Sequence, residues 1–164
     1  MEIIKINLSH LEAFKTYVEE CIDDGLDMYI QAQNDSDAFL KKLIACSEGR
    51  ELPDGWVPMS MYFCIESGEI LGAIRVRHGS NEYINNVVGH IGYETLPQAR
   101  GKGVATKMLT WIKQNAMDDT AIITCNVDNV GSKTVIEKCG GQYLDTVYST
   151  EKESHVLRYQ LVRT

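Results

Sequence analysis

The sequence predicts an α+β, or mixed α/β, fold, and two patterns carry that prediction. The first half offers strand-like runs joined by turn signals, as in an antiparallel sheet, and the second half alternates strand, helix, strand, helix and strand. A third observation bounds it: 164 residues, 44% hydrophobic and 24% charged, suit one ordinary domain spanning residues 1–164. No internal repeat, low-complexity tract or linker divides the chain.

Residues 2–8 alternate apolar and polar side chains and read as a first strand. Ser9, with Glu12 three positions on, is a candidate cap for a helix whose apolar stripe is Leu11, Phe14, Tyr17, Val18 and Cys21. Asp24-Gly25 interrupts it, and Ser36 or Asp37 opens a second helix carrying Phe39, Leu40, Leu43 and Ile44. After a loop over 49–58, strands over 59–65 and 70–77 flank Glu66-Ser67-Gly68-Glu69 as a hairpin. A polar, turn-rich stretch over 79–86 follows. Then come a strand over 87–95, a helix over 101–117, a strand over 121–126, a helix over 129–139 and strands over 142–149 and 155–162. The helix after Gly101 presents Val104, Ala105, Met108, Leu109, Ile112 and Ala116 on one face, which predicts burial of that face.

Composition narrows the function. The net charge of −7 disfavours nucleic acid and mildly favours cationic small molecules. No apolar run approaches the ~20 residues of a membrane span, and Met1 to Lys5 does not resemble the start of a signal peptide, so the expected setting is cytoplasmic with no membrane role. Cys21, Cys46, Cys64, Cys125 and Cys139 are odd in number and form no C-x-x-C pair, which predicts reduced thiols, no disulfide framework and no metal site.

The strongest local signal is Arg100-Gly101-Lys102-Gly103-Val104-Ala105. A helix N-terminus offers unpaired amides and the positive end of a dipole, and a Gly-rich approach lets a phosphate reach them. Gly101 and Gly103 supply access, Arg100 and Lys102 charge, and Ala105 a small side chain. A flexible strand-to-helix connection is the bland alternative. A Walker A loop is absent, and Thr106 stands where a dinucleotide fingerprint needs Gly or Ala.

The run His90-Ile91-Gly92-Tyr93-Glu94-Thr95-Leu96-Pro97, with Gln98-Ala99 and Arg100 to Thr106, resembles the acetyl-CoA-binding core of the GNAT superfamily of N-acetyltransferases. The signature there is Arg or Gln, two residues, Gly, one residue, Gly or Ala. Asn129-Val130-Gly131-Ser132, then Ile136 and Gly140-Gly141, is similar to the later helix flanking the pantetheine in that superfamily. The wider run from Gly72 to Met108, including Arg77-His78, Asn81 and Tyr83, looks like a bacterial branch of predicted GNAT acetyltransferases. The resemblance spans roughly residues 58–148.

It implies a central, mostly antiparallel, twisted sheet of six to seven strands flanked by about four helices. It further implies acetyl-CoA as acyl donor, CoA as product, and a primary amine of a small molecule or peptide as acceptor, acylated directly in a ternary complex. Backbone groups of Tyr93, Glu94 and Thr95 would follow the pantetheine arm, and the amides of Gly101, Lys102, Gly103, Val104, Ala105 and Thr106, beside Arg100, would hold the pyrophosphate. Asn129 would bond the pantetheine, with Ser132 nearby. Neither acceptor nor oligomeric state is specified, and a homodimer stays open.

Acyl transfer needs a neutral amine, an oxyanion donor and a proton source for the departing thiolate. An amide near Glu94 or Thr95 suits the second. The tyrosine many superfamily members use for the third is Ile136 here, leaving Tyr143 and Tyr93 as substitutes. Glu94 is the candidate base, set against a solvated strand-end acid. His90, on the same strand register, suits proton traffic, set against a hydrogen-bonded structural histidine. Arg77 and His78 either line the acceptor pocket or anchor the polar loop. Cys125 and Cys139 read as buried inert thiols rather than acyl carriers, Trp56 as packing or substrate contact, and Asp23 to Asp27 as an acidic turn that could attract a cation. The alternative to an enzyme is a non-catalytic acyl-CoA-binding or sensing module, motivated by Ile136. A nucleotide-binding protein using the same loop is the third reading.

Overall fold

The computed structural model describes residues 1–164. Seven strands form one sheet: β1 (Glu2–Lys5), β2 (Met59–Glu66), β3 (Glu69–Arg77), β4 (Ile91–Thr95), β5 (Thr120–Asn126), β6 (Gln142–Ser149) and β7 (Ser154–Val162), in the order β1-β2-β3-β4-β5-β7-β6. All neighbours are antiparallel except β4 and β5. The helices are α1 (Leu11–Asp23), α2 (Ser36–Ser47), α3 (Val104–Asn115) and α4 (Val130–Lys138). This is the mixed α/β architecture, mostly antiparallel, that the sequence predicts.

Alternation along β2 assigns the helices to faces. Phe63 meets Phe14 and Tyr17 of α1 at ring-centroid distances of 6.0 and 6.1 Å, whereas the neighbouring Tyr62 meets Trp111 of α3 at 4.9 Å. Thus α1 and α2 cover one face and α3 the other. The α3 stripe predicted from spacing is buried at Val104, Met108, Leu109 and Ile112. α4 lies beside α3, where the Lys113 ammonium donates to the Cys139 carbonyl at 2.6 Å.

Several boundaries differ from expectation for identifiable reasons. Gly101 and Gly103 have φ of 73° and 80°, so helical backbone begins at Val104, not at Gly101. The cap of the first helical segment is Asn7, whose side chain accepts from the Ser9 amide at 2.9 Å, and a single 3-10 turn over Leu8–His10 precedes α1. Asp35 caps α2 by accepting from the Ala38 amide at 3.0 Å. Asp27–Gln33, which shows no clear periodicity, is a 3-10 segment that buries Tyr29 and Ala32. The expected strand over 87–95 is shortened, because the Asn81 side chain caps Ile84 and starts a π-helical turn over Ile84–Val88 that Gly89 ends at φ 70°.

The β4–β5 junction matters most. These strands pair only at Ile91↔Ile123. At that root the His90 amide donates to the Ile122 carbonyl at 2.7 Å, and the Ile122 amide donates to His90 Nδ1 at 2.9 Å. His90 Nε2 lies 2.8 Å from Ser80 Oγ, and Thr124 Oγ1 donates to the Val87 carbonyl at 2.8 Å. A Cβ on Gly89 would fall 2.8 Å from the Ile122 carbonyl oxygen, so backbones approach here as only glycine permits. Beyond this root the two strands part.

Because Nδ1 accepts an amide, the His90 ring is held neutral, and burial lowers its pKa below 6.5. The unfolded chain then binds the extra proton, so this contribution is present above pH ~6.5 and is lost as pH falls below it. Denaturant midpoints should drop between pH 7 and pH 5, and drop less in His90→Gln; an unchanged pH slope in the variant would remove His90 from this role.

Candidate active site

Where β4 and β5 separate, a cleft of about 780 Å³ opens between the N-terminal ends of α3 and α4, with Tyr93, Glu94 and Thr95 on its strand wall. A second cleft of about 300 Å³ shares Leu26, Tyr93, Glu94, Asn129 and Ser132 with the first. Arg75, Arg77 and Gly92 also line it. Through the β2–β3–β4 register these three lie on the α1 face, together with Phe63 and Glu94. The two clefts therefore approach the same junction from opposite faces of the sheet.

The larger cleft ends at the α3 N-terminus. No side chain caps this helix, so its first-turn amides are without partners, and Cβ atoms built on Gly101 and Gly103 would meet nothing within 4 Å. Arg100, Gly101, Gly103, Val104, Ala105 and Thr106 all line it. The Val104 side chain is buried in the core, which leaves its backbone to the cleft. Lys102 is exposed and not among the lining residues, and Arg100 is turned to Asp24 at 2.5 Å and to the Thr95 carbonyl at 3.2 Å. Anion binding at this end accordingly rests on backbone dipoles more than on side-chain charge.

Along β4 the register sorts the backbone. The Leu96 amide donates to the Leu71 carbonyl and the Arg77 amide to the His90 carbonyl, so the groups of Gly92 and Glu94 pair with β3. Those of Tyr93 and Thr95 turn toward β5, into the opening. Of the three residues expected to offer backbone groups to the cleft, Glu94 thus offers its side chain instead. Thr95 Oγ1 is buried and unpartnered at the cleft wall. An open amide cradle, free strand-edge groups and an unsatisfied hydroxyl fit a long, polar, phosphate-bearing ligand.

At the junction Glu94 is held by three donors. The Tyr17 hydroxyl donates to Oε1 at 3.0 Å, the Tyr29 hydroxyl also donates to Oε1, and Arg75 Nη2 donates to Oε2 at 2.7 Å. The Arg75 and Glu94 side chains are only 11% and 8% exposed, so this is a buried, satisfied pair and not a solvated strand-end acid. Burial, then the Glu94 charge, pushes both tyrosine pKa values well above 10.0, so both stay donors. Opposite, the Tyr93 hydroxyl lies 2.8 Å from Ser132 Oγ and bridges β4 to α4. Burial pushes the Tyr93 pKa up to about 12. Asn129 caps α4, its Oδ1 accepting from the Ser132 amide at 3.0 Å, which leaves its NH2 free toward the clefts.

Other expected residues lie elsewhere. His90 has both ring nitrogens occupied at the strand root and lines neither cleft. Tyr143 sits on β6, its hydroxyl 2.7 Å from Thr146 Oγ1, also outside both. His78 contacts Ser60 at 2.8 Å, away from Arg77, which does line the smaller cleft. Ile136 is fully buried against the core. Cys125 and Cys139 are buried free thiols, although Cys125 reaches the smaller cleft's wall. Trp56 is exposed and lines neither cleft. Tyr17, Tyr29 and Arg75 were missed. A guanidinium inside the apolar run of β3 and a tyrosine on the buried stripe of α1 both require partners, and that requirement was the available signal.

The sequence pattern of the GNAT acetyltransferase domain matches residues 6–142. No curated protein matches the chain by sequence. Among solved structures, RimL, the ribosomal L7/L12 α-N-protein acetyltransferase in complex with coenzyme A, aligns with a TM-score of 0.73 at 17% identity, over 98% of this chain and 92% of that one. MccE, the microcin C7 self-immunity acetyltransferase in complex with acetyl-CoA and AMP, aligns with a TM-score of 0.72 at 18% identity over 98% and 92%. A variant of the spermidine N-acetyltransferase SpeG from Vibrio cholerae gives a TM-score of 0.63 at 10% identity over 99% and 95%. These structures share the fold, and with the domain pattern covering most of its length, the chain belongs to the GNAT acetyltransferase family.

Proposed function

We propose that this protein transfers an acetyl group from acetyl-CoA to a primary amine of a small molecule or peptide, directly and within a ternary complex. The observation that carries the reading is the meeting of two clefts from opposite faces at Glu94 and the Tyr93–Ser132 pair. Such a junction lets donor and acceptor be held together with no covalent relay. Acetyl-CoA supplies a thioester whose carbonyl the amine attacks.

The residues divide the work. First-turn amides of α3, from Gly103 to Thr106, hold the pyrophosphate, with Gly101 and Gly103 leaving it room. Strand-edge groups of Tyr93 and Thr95 and the Asn129 amide line the path of the pantetheine, and a Tyr93 or Thr95 N–H faces the place where oxyanion charge develops. A carboxylate offers about four lone-pair sites, and three on Glu94 are taken, so one on Oε2 remains for the incoming amine. Glu94 orients that amine and receives its proton directly or through water. The Tyr93 hydroxyl, hydrogen-bonded to Ser132 and protonated up to pH about 12, returns a proton to the departing sulfur. Since Ile136 points into the core, α4 brings Ser132 and not that position to the junction, which favours an enzyme over a sensing module. The same reading places the protein in a bacterial cytoplasm; no helix is long and apolar enough to cross a membrane.

The primary test is acetyl-CoA consumption against a panel of amines. Turnover with at least one amine supports the enzyme; tight CoA binding with none turned over supports the sensing module. Tyr93→Phe should lower kcat by about 100-fold or more while leaving the acetyl-CoA KM nearly unchanged. The wild-type profile should show no alkaline decline from Tyr93 below pH 10, because its pKa lies at about 12.

Gly103→Ala should weaken CoA binding by about tenfold in calorimetric titration, since a Cβ would enter the anion's approach. Gly68→Ala shares the left-handed strain, at φ 79° against 80°, but lies in the β2–β3 turn. It should lose comparable stability with no change in CoA affinity.

A further inference from the structure

The smaller cleft carries the opposite charge to the protein as a whole. Its basic lining residues are Arg75, Arg77 and Lys152, and its only acid is Glu94. Glu94 and Arg75 neutralise one another at 2.7 Å. Arg77 and Lys152 take part in no ion pair. A chain of net charge −7 therefore presents two unneutralised cations at this one cleft.

Arg77 is the informative member. Its side chain is half-buried, and Nη1 donates to the Gly89 carbonyl at 3.1 Å, which fixes the side chain but supplies no countercharge. A Cβ built on Gly92 would lie at ordinary contact distance from both, 3.7 Å from Arg77 Nη1 and 3.5 Å from Arg75 Nη1, so both guanidinium groups lie together over β4 at Gly92. Burial, and then the Arg75 charge, lower the Arg77 pKa to about 10. The charged or titratable groups facing it are Arg75, Tyr83 and His90. Nearby, the Tyr83 hydroxyl donates to Glu151 at 3.2 Å, on the loop that carries Lys152. A partly desolvated cation without a counterion is held at a cost, and an anion arriving with a ligand would relieve it. A guanidinium fork suits a carboxylate or phosphate in particular.

We infer that the acceptor is a small amine bearing a carboxylate or phosphate, with Arg77 binding the anionic group, assisted by Lys152, while the amine faces Glu94. This rests on the acetyltransfer reading above and names its substrate class. Positions 75 and 77 lie on the same sheet face about 7 Å apart along β3, and Arg75 marks Glu94. That spacing suits an amine and an anion separated by roughly two to four bonds, given a hydrogen-bond length at each end. The global acidity that favours cationic molecules at long range is reversed where the acceptor would sit.

The experiment compares glycine with glycinamide, 2-aminoethyl phosphate with ethanolamine, and putrescine, by CoA release, for wild type, Arg77→Gln and Arg77→Lys. Melting temperature and CoA binding establish that each variant is folded. One anionic acceptor should exceed its neutral partner by roughly 30-fold in kcat/KM, and which pair shows the difference separates carboxylate from phosphate. Arg77→Gln should abolish that advantage, with the neutral acceptor changed by less than about threefold, and Arg77→Lys should recover part of it. Putrescine or a neutral amine as the best acceptor overturns this inference alone and leaves the acetyltransferase standing. Equal losses on neutral and anionic acceptors in Arg77→Gln also overturn it, by showing a merely structural arginine. Failure to acetylate any of the five amines overturns it as well, and acetyl transfer to none of a wider amine panel then removes the underlying reading.

Discussion

The architecture depends on one constraint: two parallel strands joined at a single register position and then forced apart. Parallel neighbours ordinarily hydrogen-bond along their length, and separating them strands backbone donors and acceptors inside the protein. Here the parting is made tolerable at its root, where Gly89 permits backbone contact, the His90 imidazole accepts the Ile122 amide, and Thr124 satisfies the Val87 carbonyl. The Tyr93 groups and the Thr95 amide, left free, lie farther along in the cleft, where Arg100 takes up the Thr95 carbonyl. The cavity is thus a consequence of strand pairing and needs no excavation of side chains from the core.

A second element keeps the opening in shape. Glu94 gathers Tyr17 from α1, Tyr29 from the 3-10 segment and Arg75 from β3. Deleting one partner would leave a buried charge or hydroxyl exposed to a low dielectric, so the network fixes the helical layer against the sheet as firmly as it fixes the carboxylate. Across the gap the Tyr93–Ser132 contact does the same for α4. The side chains that line the clefts also hold the scaffold, and the aromatic cluster of Phe14, Tyr17, Tyr29 and Phe63 packs directly behind them.

How much of this was legible follows from the kind of information involved. Long periodic elements, such as the α3 stripe and the β2–β3 hairpin, are visible because burial repeats along the chain. The anion end was visible because Gly101 and Gly103 announce a backbone conformation that few other residues adopt. Asp27–Gln33 was not visible: a 3-10 segment this short has no periodicity, and Tyr29 contributes through a partner 65 positions away. His90 was ambiguous for the same reason, since a strand histidine advertises proton chemistry equally well whether its nitrogens face a cleft or a neighbouring amide. Tyr93 and Tyr143 looked interchangeable on chemistry, and only topology separates them, one beside the opening and the other on the far edge strand.

The division of labour between the two faces has a consequence for descent. At the α3 N-terminus the larger cleft presents unpartnered amides and glycines, which most side-chain replacements cannot erase. On the α1 side the lining is made of individual side chains, Arg77 and Lys152 among them, and Arg77 also braces the strand root through the Gly89 carbonyl. In the proposed enzyme, replacements over much of the donor half would leave cofactor binding intact, while a few on the other face would redirect the choice of acceptor. The fold is shared with RimL at 17% identity, so this architecture tolerates replacement at most of its positions.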